Sequence, residues 1–201
     1  MAALWSQDQF VIREKFWKIF GNTFWINDMQ GNLLGYAKQK AFKLKEEIII
    51  YADEAKTQPL VAIKARNIID IWATYDISDA TTGQAIGGAK RKGLKSFFKD
   101  AWQILDVNGN QLGTMKERNM FLALVRRIIN FGNLIPQTYD VQFEGLPNII
   151  FKQRFNPFIR RTNVIIPPGT QVDRRLIVAM LVLNSAIEGR QGGGFDMGLD
   201  I

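Results

Sequence analysis

The chain has 201 residues, 47% of them hydrophobic, which suits one domain of the larger all-β type with a substantial core. Lys and Arg number 26 against 19 Asp and Glu, a formal charge of +7, which favours anionic partners without choosing among nucleic acid, acidic lipid and acidic protein. Cysteine and histidine are both absent, which excludes disulfides, a thiolate nucleophile, a Cys/His zinc site and a Ser-His-Asp triad.

With no histidine, a general base would need a strongly shifted carboxylate or lysine. The only paired acids, Glu46/Glu47, Asp53/Glu54 and Asp76/Asp79, suit solvated turns or strand ends better than a catalytic dyad. No catalytic residue, cofactor or metal is therefore expected. The first residues, MAALWSQDQF, lack a basic segment followed by an apolar one, so the expectation is a soluble cytoplasmic protein without a signal peptide. Residues 1–9 read as a loose lead-in. Phe10 to Phe20 mixes charges with β-branched and aromatic residues and reads as a strand.

An internal repeat follows. Phe24-Trp-Ile26-Asn-Asp28, a turn with Gly31, and Leu34-Gly35 align with Trp102-Gln-Ile104-Leu-Asp106, Gly109 and Leu112-Gly113. A third copy, one residue longer in its turn, is Tyr75-Asp-Ile77-Ser-Asp79, Gly83 and Ile86-Gly87. Alternation before each Asp indicates a strand with one buried face. The Asp can accept bonds from the turn's own amides and the Gly supplies positive φ, so each copy is expected to be a β-hairpin. Calcium ligation is the rival reading of these acids, but the D-x-D-x-D-G spacing is missing.

Further strands are expected at Glu47–Ala52, Pro59–Arg66 and Ile68–Ile77, giving an antiparallel meander. Ala85 to Lys99 carries Lys90, Arg91, Lys92, Lys95 and Lys99 with Phe97 and Phe98 among them and no acid. It reads as a hairpin with a solvated basic face, or more sharply as an anion-binding edge, with charge for phosphates and aromatics for insertion or stacking. From Thr114 to Ile135 the chain changes character: from Arg118 to Phe131 the apolar positions fit a helix, capped by Asn119 and stopped by Gly132, with Arg126 and Arg127 on one side. Such a helix packs on the domain or lies on a membrane surface.

Strands are again expected at Thr138–Glu144, Asn148–Phe155 and Arg160–Ile166, before a turn at Pro167-Pro168-Gly169. The stretch Asp173–Glu188 organises the rest. Leu176 to Leu183 is apolar on every side, so it must be enclosed, yet it is too short for a bilayer, which needs about 20 residues. The expectation is a helix roughly 23 Å long, at about 1.5 Å per residue, threaded through a closed barrel. Asp173 is its N-cap and Gly189 its stop. Asn184 and Ser185 should be hydrogen-bonded or near the barrel mouth. One domain over residues 10–190 and a Gly-rich tail over 191–201 complete the expected layout.

The three Asp/Gly copies, the segment Lys90-Arg91-Lys92-Gly93-Leu94-Lys95-Ser96 and the closing Asp173-Arg174-Arg175 with its apolar helix resemble the LURP-one-related proteins and the phospholipid scramblases over roughly residues 20–188. The resemblance implies the tubby C-terminal fold, a mainly β, closed antiparallel barrel of about twelve strands around a central hydrophobic C-terminal helix. It also implies ties to membrane lipid. The scramblase features match poorly: there is no cysteine cluster for palmitoylation, and Asp196 and Asp200 are too sparse for an acidic calcium loop. The resulting expectation is a non-enzymatic binding module for anionic phospholipid or a protein partner, peripheral to the membrane. Its candidate anion-binding residues are Lys90, Arg91, Lys92, Lys95, Lys99, Arg126 and Arg127. The alternatives are scramblase-like lipid translocation and a nucleic-acid-binding β-domain.

Overall fold

The structure is a computed structural model and describes residues 3–17, 21–39, 47–66, 74–91, 101–119, 135–156 and 159–193. Twelve strands close into one antiparallel barrel. In chain order they are β1 (Gln9–Trp17), β2 (Gly21–Asn27), β3 (Leu33–Gln39), β4 (Ile48–Tyr51), β5 (Pro59–Ala65) and β6 (Thr74–Asp79). Then come β7 (Ala85–Arg91), β8 (Ala101–Leu105), β9 (Gln111–Glu117), β10 (Thr138–Phe143), β11 (Ile149–Arg154) and β12 (Arg160–Ile165). Each strand pairs with its sequence neighbours, and β1 pairs with β12 to close the ring. The helix α1 spans Arg174–Gly193.

Period-two burial decides which side chains face the axis. Phe10, Ile12, Phe24, Ile26, Ile50, Ile63, Ile77, Trp102, Ile104 and Phe151 are all essentially inaccessible. They meet Leu176 to Ala186 of α1, every one of which is buried. An apolar cylinder inside an apolar-lined tube leaves neither surface in water, which is why an eight-residue run with no polar stripe is stable here. Asp173 caps the helix as expected: its carboxylate accepts the Arg175 amide at 2.9 Å. Asn184 also meets its expectation, accepting the Trp102 indole N–H at 3.1 Å in the buried interior.

The repeated hairpins share a finer device. Ile26 faces Gly35, Ile77 faces Gly87 and Ile104 faces Gly113. The register then slips by one in each, leaving Leu34, Ile86 and Leu112 as the extra residue of a β-bulge. The β4–β5 hairpin slips in the same way at Leu60, with Val61 where the others have Gly. It is a fourth copy, hidden in the sequence by the inserted Ala52 and by Lys56 and Val61 in the places of the two glycines.

Three expectations need correction. The lead-in is not loose: Ala3–Ser6 forms a 3-10 turn whose Leu4 is fully buried against Gly35 and the core. A single enclosed leucine is enough to tie down a short terminus. Gly189 does not stop the helix, which keeps helical backbone to Gly193, three residues into the segment expected as a tail. A helical glycine costs about 1 kcal/mol relative to alanine, too little to end a helix anchored by a buried face. Thr114–Glu117 continues strand β9 instead of changing character. The expected helix at 118–131 and the first part of the expected strand at 68–77 lie mostly outside the described residues; Thr74–Asp79 is strand.

Candidate anion-binding surface

With α1 filling the barrel, the described residues present their turns and outer wall to solvent. The turn end comprises 28–32, 52–58, 80–84, 106–110 and 144–148, with the segments around Asp8 and Asp173. It is acidic and internally bonded. Asp28 accepts the amides of Gln30 and Asn32 at 2.9 and 2.8 Å, and Asp106 those of Asn108 and Asn110 at 2.8 and 2.7 Å. Asp79 accepts from Thr81 and Thr82, and Asp53 from Thr57 and Gln58. These bonds stabilise the ionised carboxylates and hold their pKa values below the usual range: the side chains of Asn32 and Asn110 act most on Asp28 and Asp106, the Thr82 and Thr57 amides most on Asp79 and Asp53. This is turn chemistry, and among the described residues no acidic cluster could hold a metal ion.

Where α1 enters, the first two helical arginines are bound to that end. Arg174 reaches Asp8 at 2.6 Å and the Thr170 carbonyl at 2.9 Å. Arg175 pairs with Asp173 at 2.6 Å and with Asp79 at 3.4 Å. Both cations are used in seating the helix.

Of the residues expected to bind anions, Lys90 and Arg91 are described. Lys90 is exposed on the outer face of β7, opposite Thr74 and Gln103. Arg91 follows Gly87 and Ala89 on the inward set and is half-buried. Adjacent strand residues point to opposite faces, so these two do not share one surface. Lys92, Lys95, Lys99, Arg126 and Arg127 lie outside the described residues.

The strands themselves show a charge asymmetry that linear reading missed. Along the sequence the positive excess is even. Around the barrel it is not. The adjacent strands β11, β12, β1, β2 and β3 hold seven basic residues and one acid, Glu14. The other seven strands hold four of each sign. Glu14 faces inward, 2% exposed, with its carboxylate bonded to Asn22 at 3.0 Å and to Arg160 at 3.3 Å. Burial raises its pKa, and the Arg160 guanidinium opposes that rise without cancelling it. The remaining six, Arg13, Lys15, Lys38, Lys152, Arg154 and Arg161, occupy outward positions of the alternation. Arg154, Arg161 and Arg13 stand in direct cross-strand register on three neighbouring strands. The signal that could have found this wall is alternation in the strands at both ends of the chain, but only the β1–β12 closure joins them.

Residues 34–184 match the sequence model described as LURP-one-related. A crystal structure of an Arabidopsis thaliana protein is similar over 90% of this chain and 91% of that one, at 15% identity and a TM-score of 0.52, a likeness of fold. No curated protein matches the chain. The twelve-strand barrel around one C-terminal helix is the tubby-like architecture that the family resemblance implied. On the match across residues 34–184, the chain belongs to the LURP-one-related family.

Proposed function

We propose that this protein is a non-enzymatic binding module whose outer surface docks on an anionic partner, a phospholipid surface or an acidic protein. The observation that carries the reading is the filled interior. Leu176 to Ala186 occupy the space that an open barrel of this kind would offer a ligand. That leaves an outer surface with one basic wall, an acidic turn end and mixed charge elsewhere on the strands. Segregated charge steers and orients an oppositely charged partner.

The test presents the full chain with three probes: vesicles containing acidic lipid, neutral vesicles and polyglutamate. Retention by an anionic probe that weakens steeply with salt, and no retention by neutral vesicles, is expected. Equal binding to neutral and acidic vesicles, or indifference to all three probes, removes the proposal. Glutamate substitutions across Lys90, Arg91, Lys92 and Lys95 in the same assay ask whether the β7 end contributes.

A further inference from the structure

We infer that the wall formed by β11, β12 and β1 is a membrane-docking face, on which Arg154, Arg161 and Arg13 meet anionic headgroups while Phe155 enters the headgroup layer. The inference rests on the binding reading above and names its surface and partner. Three observations support it. First, the three arginines lie opposite one another across adjacent strands, where like charges oppose folding. On the five strands from β11 round to β3 the charges at outward positions are all basic. Neighbouring strands lie about 4.8 Å apart, so the five span about 19 Å of wall, a breadth suited to a surface and not to a single phosphate.

Second, Phe155 follows Arg154 directly and is 64% exposed, the highest value among the exposed large hydrophobic side chains of the described residues. Ile165, on the outer face of β12, adds a further 38% exposed side chain. Cations beside protruding apolar groups suit an interface with phosphates above and acyl chains below. An acidic protein would use the cations alone, and a nucleic acid would stack a base on Phe155 but leave Ile165 unused.

Third, the rest of the molecule favours the same orientation. Asp28, Asp53, Glu54, Asp106 and Glu144 stand at the turn end in addition to the acids that Arg174 and Arg175 neutralise, and an anionic surface repels them. Phe155 sits at the opposite end of its strand. β7, with Lys90, is six strands from β1 in a ring of twelve, on the far wall. A flat surface touching β12 therefore cannot also touch the outer face of β7, and the two locations are separable by experiment.

The absence of cysteine makes the test direct. Phe155→Cys gives a single thiol for an environment-sensitive fluorophore. Its emission should shift to the blue on vesicles containing acidic lipid and stay unchanged on neutral ones. Partitioning of R154Q/R161Q onto acidic vesicles should fall about 25-fold, from about fivefold per lost cation. F155A should weaken partitioning several-fold, and K64Q, on exposed β5, should not. Thermal unfolding taken alongside separates a docking role from a structural one: R154Q/R161Q should remain folded at the assay temperature while losing its partitioning. The inference fails if R154Q/R161Q partitions like the parent, or if the label stays silent while the protein is on the vesicle. If the parent binds polyglutamate but not acidic vesicles, or if only K90Q loses binding, this face is wrong and the binding reading survives. If no anionic probe is bound, both fall.

Discussion

Gly87 shows at one position why the hairpin repeat needs its second glycine. A Cβ there would lie 2.4 Å from the Leu105 carbonyl oxygen and 3.1 Å from a Leu176 methyl of the helix. The first obstacle is backbone of the neighbouring strand and cannot turn aside. Gly113 is in the same position, 2.5 Å from the Gln142 carbonyl oxygen. Gly35 differs: its nearest neighbours are the side-chain tips of Ile26 and Leu4, at 3.2 and 3.3 Å. G87A and G113A should each cost towards the upper end of the about 1–3 kcal/mol typical of overpacking, and G35A clearly less. Urea unfolding of the three variants checks the order. A G87A as mild as G35A would mean that β7 and β8 can separate locally, and the close approach would not be what selects glycine.

At the scale of elements, the helix and the wall specify each other through a buried polar contact set among many apolar ones. Trp102 and Asn184 are 1% and 4% exposed, and their hydrogen bond fixes the rotation of α1 against β8. Replacing Asn184 by leucine strands the indole N–H, a cost of about 1–3 kcal/mol. Adding W102F should recover part of that loss, because no donor then remains to satisfy; equal destabilisation of N184L and the double variant would show that the bond contributes nothing. This much of the fold was legible beforehand. An apolar run without a stripe required a sheath, and Asp and Gly at fixed spacing named three hairpins. The fourth hairpin was legible as two strands but not as a copy of the repeat, because Ala52 breaks the spacing and Lys56 and Val61 stand where the others have glycine. Leu4 carried no signal either, since one leucine near a terminus has no periodicity. Arg13 and Arg161 were unreadable as neighbours for a different reason. They are adjacent only through closure of the ring, a non-local fact that no window of sequence contains. The same closure hides the basic wall, whereas Lys90 and Arg91 are contiguous in sequence and divided by the sheet.

At the scale of the whole molecule, the seam between the first and last strands is held by the one acid of the basic wall. Glu14 of β1 faces Arg160 of β12 in direct register, and Asn22 of β2 completes its bonding. Two opposed effects act on that carboxyl. Burial raises its pKa above the ordinary 4.5, and the Arg160 charge lowers it; burial is the larger. A carboxyl with a raised folded pKa holds its proton longer in the native state than in the unfolded one. Its contribution to stability is therefore intact below about 4.5 and declines as pH rises from there through the raised value. The turn aspartates, with lowered values, act with the other sign: their contribution is present above 3.8 and is lost on acidification. Glutamine at position 14 keeps the shape and the Asn22 bond while removing the ionisation. The parent and E14Q should match below pH 4.5, with the parent becoming the less stable of the two as pH rises towards neutrality. E14A, which leaves Arg160 without this partner, should be the least stable of the three. Its loss should stay below the about 3–5 kcal/mol seen when a fully buried pair is broken, because the arginine side chain keeps 24% exposure to solvent. Thermal unfolding of the three proteins across pH decides the matter. If the parent instead gains on E14Q as pH rises, attraction across the seam outweighs burial, and the ionised pair itself keeps the barrel closed.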